Sequence, residues 1–264
     1  MAQQLRKAAG EDSIVRVAPQ DGAAKADLIP LILNHLDPHR GTRMRIRRAF
    51  VQTVQAINAV AARHDHYTAH HHERVAILAL ALGRRLQLAS DRLESVYLGA
   101  LVHDVGKVAI PTELLNKPDR LTIEEFTLVK THVRIGCEIL QPLTLPWPIQ
   151  AIVAQHHERL DGSGYPQGLR AEAILPESRI VAVADVFQAL CDDRPYRVAL
   201  GIQAALAELE RGAGRAFDAD AVAALRTLTK TRGQSVTDFW AQLTSDIRLF
   251  AHRPAVSRPG RLGR

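Results

Sequence analysis

Apolar residues recur along most of this chain at intervals of three and four, the spacing of one helix face. Ile46, Phe50, Val51, Val54, Ile57 and Val60 mark a helix over Arg43–Arg63. Val75, Leu78, Ala79 and Leu82 mark one face of a second, reaching about Leu88. Leu93, Val96, Tyr97, Ala100 and Leu101 mark a third, from about Asp91 to His103 or Asp104, with Gly106 as its stop. Thr122 followed by Glu125 has the form of a capping box, opening a helix to about Leu140. Further helices are expected over about Ile149–His157, Pro176–Leu190, Gly201–Arg211, Asp218–Leu228 and Ser235–Phe250, with Asp218 as an N-cap. A short one is expected over Asp27–Leu36. No segment alternates as a strand would, so the expected class is all-α.

Composition agrees. The chain has 264 residues, 47% of them hydrophobic and only 5% aromatic, so Ala, Leu and Val build the core. That length supports one large domain with appendages. Its two cysteines, Cys137 and Cys191, give no disulfide framework and point to a reducing, cytoplasmic setting. No apolar signal segment follows Arg6 and Lys7, and the longest apolar run, Val75–Leu82, is too short to span a bilayer.

The net charge of +6 divides unevenly: +4 over residues 1–48, −4 over 49–225 and +6 over 226–264. Basic ends without interleaved aromatics argue against specific nucleic-acid binding. The expected layout is a poorly ordered segment with a short helix over 1–42, a packing or linker helix over 43–64 and a main domain over 65–231. A C-terminal helix over 232–250 and a basic disordered tail over 251–264 follow.

The candidate chemistry lies at helix ends. Neutral imidazole is the commonest side-chain metal ligand. His156-His157 closes an apolar helix and leads into a loop carrying Gly162, Gly164, Tyr165 and Pro166. His103-Asp104 closes another, where both groups would be costly to bury unpaired. His70, His71 and His72 are consecutive and, on a helix, point about 100° apart, so one or two of them can face a single site. His132 and Asp185 stand alone within apolar helices. Each feature singly fits a solvated or core residue as well as a ligand.

Taken together, these motifs resemble the HD-GYP family over about Asp65–Leu228. The carrying residues are His71 through Val75, His103-Asp104-Val105-Gly106-Lys107, Leu115-Asn116-Lys117-Pro118, Leu121-Thr122 with Glu124-Glu125, and His132 with Gly136. They continue with His156-His157-Glu158, Asp161 through Pro166, Asp185, and Arg194-Pro195-Tyr196-Arg197. The resemblance implies an HD-domain helical bundle with the HD-GYP extension. It also implies a phosphodiesterase that hydrolyses the bacterial messenger cyclic di-GMP to pGpG, GMP or both.

Two divalent ions, iron or manganese, are implied. One would be held by His71, His103, Asp104 and Asp185, the other by Asp104, His132, His156 and His157. Such pairs, about 3.5–4 Å apart, clamp the phosphate, activate water and stabilise the leaving oxygen. Lys107 is implied as a stabiliser of developing charge. Gly164, Tyr165, Arg194 and Arg197 are implied in shaping the substrate pocket.

The family pattern Gly-His-Ser-x-Arg-Val sets His70 and His72 where the family has Gly and Ser, leaving either as an alternate ligand. Tyr67 stands where a Glu supports a third metal in some members, which implies a binuclear site here. Many members carry Lys where Arg197 stands. Diguanylate cyclase (GGDEF-type) domains are implied partners of the Gly-Tyr-Pro loop, and a homodimer is a candidate assembly. Two alternatives stay open: another HD phosphohydrolase or cyclic-dinucleotide phosphodiesterase, and a receptor that binds cyclic di-GMP without turnover.

Overall fold

The centre of the fold is a helix with no exposed face. In the computed structural model, which describes residues 48–54, 56–57, 68–193, 198–230 and 235–252, α1 (Thr68–Arg85) buries every residue from Val75 to Leu82. The spacing had suggested a single apolar stripe. An all-apolar run instead has every side occupied, and α1 packs against four helices: α2 (Ser90–Val102), α6 (Pro176–Cys191), α8 (Ala219–Lys230) and α9 (Val236–His252). α2 buries Leu93 through Val102 without a break. α6 holds Asp185 and Gln188 among buried Ile180, Val183, Ala184 and Phe187.

The peripheral helices are the amphipathic ones. α4 (Ile123–Leu140) turns His132, Val133, Gly136 and Leu140 inward. Its capping box forms as expected: Glu125 N donates to Thr122 Oγ1 at 3.2 Å, and Thr122 N donates to the Glu125 carboxylate at 2.8 Å. α5 (Ile149–Gln155) and α7 (Ile202–Gly212) match their expected ranges closely. Asp218 accepts from Ala221 N at 3.0 Å as the cap of α8. Among the described residues no strand occurs, only the isolated bridges Asp161–Arg170 and Ala213–Phe217.

The C-terminal helix belongs to the same core. Phe239 of α9 meets Phe187 of α6 edge to face, ring centroids 5.6 Å apart. The helical residues 48–54 join it too, through buried Phe50, Val51 and Val54. Expectations for residues 1–42, the rest of the 43–64 helix, Tyr67, Arg194, Arg197 and the tail from residue 253 lie outside the described residues.

Three short elements escaped the periodicity: α3 (Thr112–Leu115) and 3-10 turns over Val105–Ala109 and Ala171–Ala173. Rather than stopping at Gly106, the chain leaves α2 after Val102 and tightens, with Lys107 N donating to Asp104 O at 2.9 Å. Residues three apart eclipse in such a turn. Lys107 therefore lies over Asp104, Nζ to Oδ2 at 2.6 Å. Gly106 lets this turn press on α4: a Cβ there would sit 1.9 Å from the His132 carbonyl oxygen.

Candidate metal centre

Six side chains, from α1, the end of α2, α4, the end of α5 and α6, meet around Asp104. Its two oxygens divide them. Oδ2 faces His71 Nε2 at 3.5 Å and His103 Nε2 at 3.3 Å. Oδ1 faces His132 Nε2 at 3.3 Å and His156 Nε2 at 3.8 Å. Asp185 Oδ1 closes the first side, 3.3 Å from His71 Nε2 and 3.8 Å from His103 Nε2. His157 closes the second, and Asp104, His132, His156 and His157 offer one donor each within 4.8 Å of one another. His71, His103 and Asp185 form another such group.

These donors fit metal ions. Asp104 Oδ1, His132 Nε2 and His156 Nε2 are buried without a hydrogen-bond partner among the described residues. Buried polar atoms in native folds are almost always satisfied. Atoms that converge while lacking protein partners are what a metal site leaves when only its polypeptide is considered. Mixed imidazole and carboxylate donors suit first-row ions such as iron and manganese.

The rings are held with Nε2 forward. Nδ1 of His103, His132 and His156 donates to the carbonyl three residues earlier, at Ala100, Val129 and Val153, at 2.7, 2.7 and 2.8 Å. A carbonyl only accepts, so Nδ1 carries the proton and Nε2 turns its lone pair toward the site, open in His132 and His156 and 3.2 Å from His71 Nε2 in His103.

His71 is held differently. Its Nδ1 donates to Gln188 Oε1 at 2.5 Å; Gln188 Nε2 donates to Asp192 Oδ2, and Asp192 Oδ1 accepts from Arg74 Nη1 at 2.8 Å. Neither Gln188 nor Asp192 belongs to the motifs that carry the candidate chemistry. The available signal was Gln188, a buried amide one turn beyond Asp185 in an otherwise apolar helix.

Burial sets the protonation states. It pushes His157 down to about 3 and holds His156 well below the imidazole range; His132 is lowered for the same reason. Burial would lower His71 too, but hydrogen bonds with the Asp104 and Asp185 carboxylates push it up to about 9. Asp104 lies well below the usual carboxylate range, because Lys107 and His103 outweigh its burial.

A pH optimum follows for the chelated protein. Between about pH 6.5 and 3 the unfolded chain takes up protons that folded His157 refuses, so stability falls with pH. Between about pH 6.5 and 9 folded His71 keeps a proton that the unfolded chain releases, so stability falls as pH rises. Thermal melts of metal-free protein should peak near pH 6.5, and a melting temperature still climbing from pH 7 to 9 would contradict this assignment.

The loop after His157 is built around Glu158, another residue given no role from sequence. Its buried carboxylate accepts from Gln167 N at 2.7 Å and Leu169 N at 2.9 Å. Asp161 Oδ1 accepts from Ser163 N at 3.0 Å, and Gly162 turns with φ of 79°. Gly164 closes the loop onto residues 157–159: a Cβ would lie 2.5 Å from Glu158 Cα and from His157 O. Its visible task is thus this close approach.

Tyr165 stacks on His157, centroids 4.6 Å apart, and meets Phe126 edge to face at 6.1 Å. Lys130 Nζ stands 5.8 Å above the Tyr165 ring. An aromatic and cationic wall thus adjoins the centre.

Comparisons with known proteins agree with the motifs. The HD-domain family model matches residues 55–221. The chain is 46% identical over 155 residues to the cyclic di-GMP phosphodiesterase response regulator RpfG of Xanthomonas campestris, covering 58% of this chain and 41% of that protein. It is 37% identical over 175 residues to the 3'3'-cGAMP-specific phosphodiesterase 3 of Vibrio cholerae, covering 66% and 38%. It is 35% identical over 181 residues to a cyclic di-GMP phosphodiesterase of Thermotoga maritima, covering 68% and 49%. The chain thus spans about half or less of the length of these relatives.

The fold resembles that of Bd1817, an HDG"Y"P protein from Bdellovibrio bacteriovorus, with a TM-score of 0.54 at 21% identity over 78% of this chain and 69% of that one. With the match spanning most of its length and the His-Asp pair, the paired histidines and the Gly-Tyr-Pro loop gathered in one place, the chain belongs to the HD-domain family, in its HD-GYP branch.

Proposed function

We propose that this chain is a metal-dependent phosphodiesterase that hydrolyses cyclic di-GMP, to pGpG, GMP or both. The carrying observation is the division of donors across Asp104, one set on each carboxylate oxygen. On this reading His71, His103, Asp104 and Asp185 hold one ion, and Asp104, His132, His156 and His157 hold the other. Two divalent ions, iron or manganese, would supply Lewis acidity and activated water at neutral pH.

The protein's own groups do the rest. Backbone carbonyls fix three histidine rings with Nε2 forward, so little reorganisation is needed on loading. Lys107 neutralises Asp104 and stays 24% exposed, so its ammonium can also meet the phosphate's growing negative charge. Tyr165, on the loop shaped by Gly164, lines the approach for a purine ring. Arg194 and Arg197 are proposed for the substrate phosphates.

The Lys107→Ala protein should keep its metal content while turnover falls by roughly 10²–10³-fold. Loss of metal from this variant, measured by elemental analysis, would move Lys107 from catalysis to assembly.

Three of the relatives, all from Vibrio cholerae, are named as 3'3'-cGAMP-specific phosphodiesterases. That supports a second reading in which the mixed dinucleotide is the substrate. Parallel incubation with cyclic di-GMP and 3'3'-cGAMP, followed by chromatography, separates the two: faster loss of cyclic di-GMP is expected, and exclusive loss of 3'3'-cGAMP would replace it. A non-hydrolysing receptor is disfavoured because every expected ligand is present.

We assign residues 65–231 as the HD-GYP domain, preceded by an N-terminal segment (1–42) and a packing helix (43–64), and followed by a C-terminal helix (232–250) and a basic tail (251–264). Among the described residues no helix is long and apolar enough to cross a membrane. A cytoplasmic setting, a homodimer and contact of the Gly-Tyr-Pro loop with diguanylate cyclase domains belong to the same proposal.

A further inference from the structure

His72 stands beside the proposed ligands without a task. It is 4% exposed, and neither ring nitrogen has a hydrogen-bond partner among the described residues. Its neighbours His71 and His103 have Nδ1 tied to an oxygen; His72 has both nitrogens open. A buried imidazole in that state is costly unless something other than the polypeptide satisfies it.

The surroundings indicate what that is. His72 Nε2 lies 3.9 Å from Asp104 Oδ2, the oxygen that also faces His71 and His103. The His72 ring meets the His103 ring edge-on, centroids 5.3 Å apart. His72, His103 and Asp104 offer one donor each within 4.8 Å of one another.

We propose that His72 is an additional metal ligand, donating to the same ion as His103 and Asp104. The proposal rests on the metal-centre reading given above. His103 decides between a shared ion and a third one. Its Nδ1 is engaged by the Ala100 carbonyl, leaving Nε2 alone, and one nitrogen lone pair serves one ion. The set containing His71, His103 and Asp185 and the set containing His72, His103 and Asp104 therefore draw on one ion. Its ligands become three imidazoles and two carboxylates, a richer nitrogen set that shifts preference away from manganese and toward iron, cobalt or zinc.

Cobalt(II) is a suitable probe, because its visible absorption follows its ligands. Wild type, His72→Ser and His72→Gln would be titrated with Co²⁺ against a competing chelator, and each melted with and without metal. Wild type should bind two ions. His72→Ser should bind one of them more weakly by ~10-fold or more, with an altered spectrum.

Metal-free His72→Ser should melt no lower than metal-free wild type, since an unsatisfied buried group has gone, while its gain in melting temperature on adding metal shrinks. Unchanged affinity and spectrum would overturn the proposal. So would a lower metal-free melting temperature, or failure to fold, that His72→Gln restores, which would assign His72 to packing. Three ions in wild type and two in His72→Ser would overturn the shared ion. A wild-type protein that binds no Co²⁺ would overturn the metal-centre reading itself.

Discussion

Asp104→Ala is expected to release both metal ions and to lower hydrolysis by at least ~10³-fold, beyond the 10–100-fold that outer-shell partners contribute. Both oxygens of Asp104 are engaged, Oδ2 toward His71 and His103 and Oδ1 toward His132 and His156. Its loss leaves the second side with histidines alone and the first with Asp185 as its single carboxylate.

The variant should remain folded. From sequence Asp104 was costly to bury unpaired, and in the structure it is already paired with Lys107, Nζ to Oδ2 at 2.6 Å. Without Asp104 the Lys107 ammonium can turn to water, and His71 loses one of the two carboxylates that hold its proton, so little buried charge is stranded. Elemental analysis and circular dichroism check the two halves. A folded, metal-replete Asp104→Ala protein with full hydrolysis would overturn the assignment.

Gly106→Ala is expected to cost about 3 kcal/mol, the upper end for overpacking, and to lower the melting temperature by roughly 10 °C. The added Cβ would lie 1.9 Å from the His132 carbonyl oxygen and 2.5 Å from Gly136 N, both backbone atoms that no rotamer change can move. The 3-10 turn and α4 must separate. Their separation pulls Asp104, two residues before Gly106, away from His132. Stability and metal affinity should therefore fall together. A variant that melts as wild type does and keeps both ions would show that the turn tolerates the methyl group and that Gly106 is not what sets the Asp104–His132 distance.

Much of this was legible in the chain. Helices that bury a single face, such as Ile123–Leu140, followed directly from period and caps. Thr68–Arg85 was recognised as helical but misjudged as one-faced, because a continuous apolar run carries no phase and only its neighbours reveal that it is central. The short elements at Val105–Ala109 and Thr112–Leu115 are too brief for a period to register. Yet the first of them sets Lys107 over Asp104.

The seven expected ligand positions came from motif order, and the structure brings all seven together. What the sequence did not disclose were the partners that hold them. Gln188, Asp192 and Glu158 act through contacts across 117, 118 and 9 to 11 residues, and no local pattern encodes pairs so far apart. His72 was visible only as one of three consecutive histidines. Its burial and its two open nitrogens distinguish it.

The most direct measurement is metal content and hydrolysis on the same preparation. The protein would be purified without oxygen, analysed for metals, divided, and incubated with cyclic di-GMP before and after chelation, with products separated by chromatography. Close to two ions per chain are expected, with hydrolysis by the loaded protein, none after chelation and recovery when iron or manganese is restored. Hydrolysis that survives complete removal of metal, or a folded protein that holds less than one ion per chain under every loading condition, would contradict the two-metal assignment.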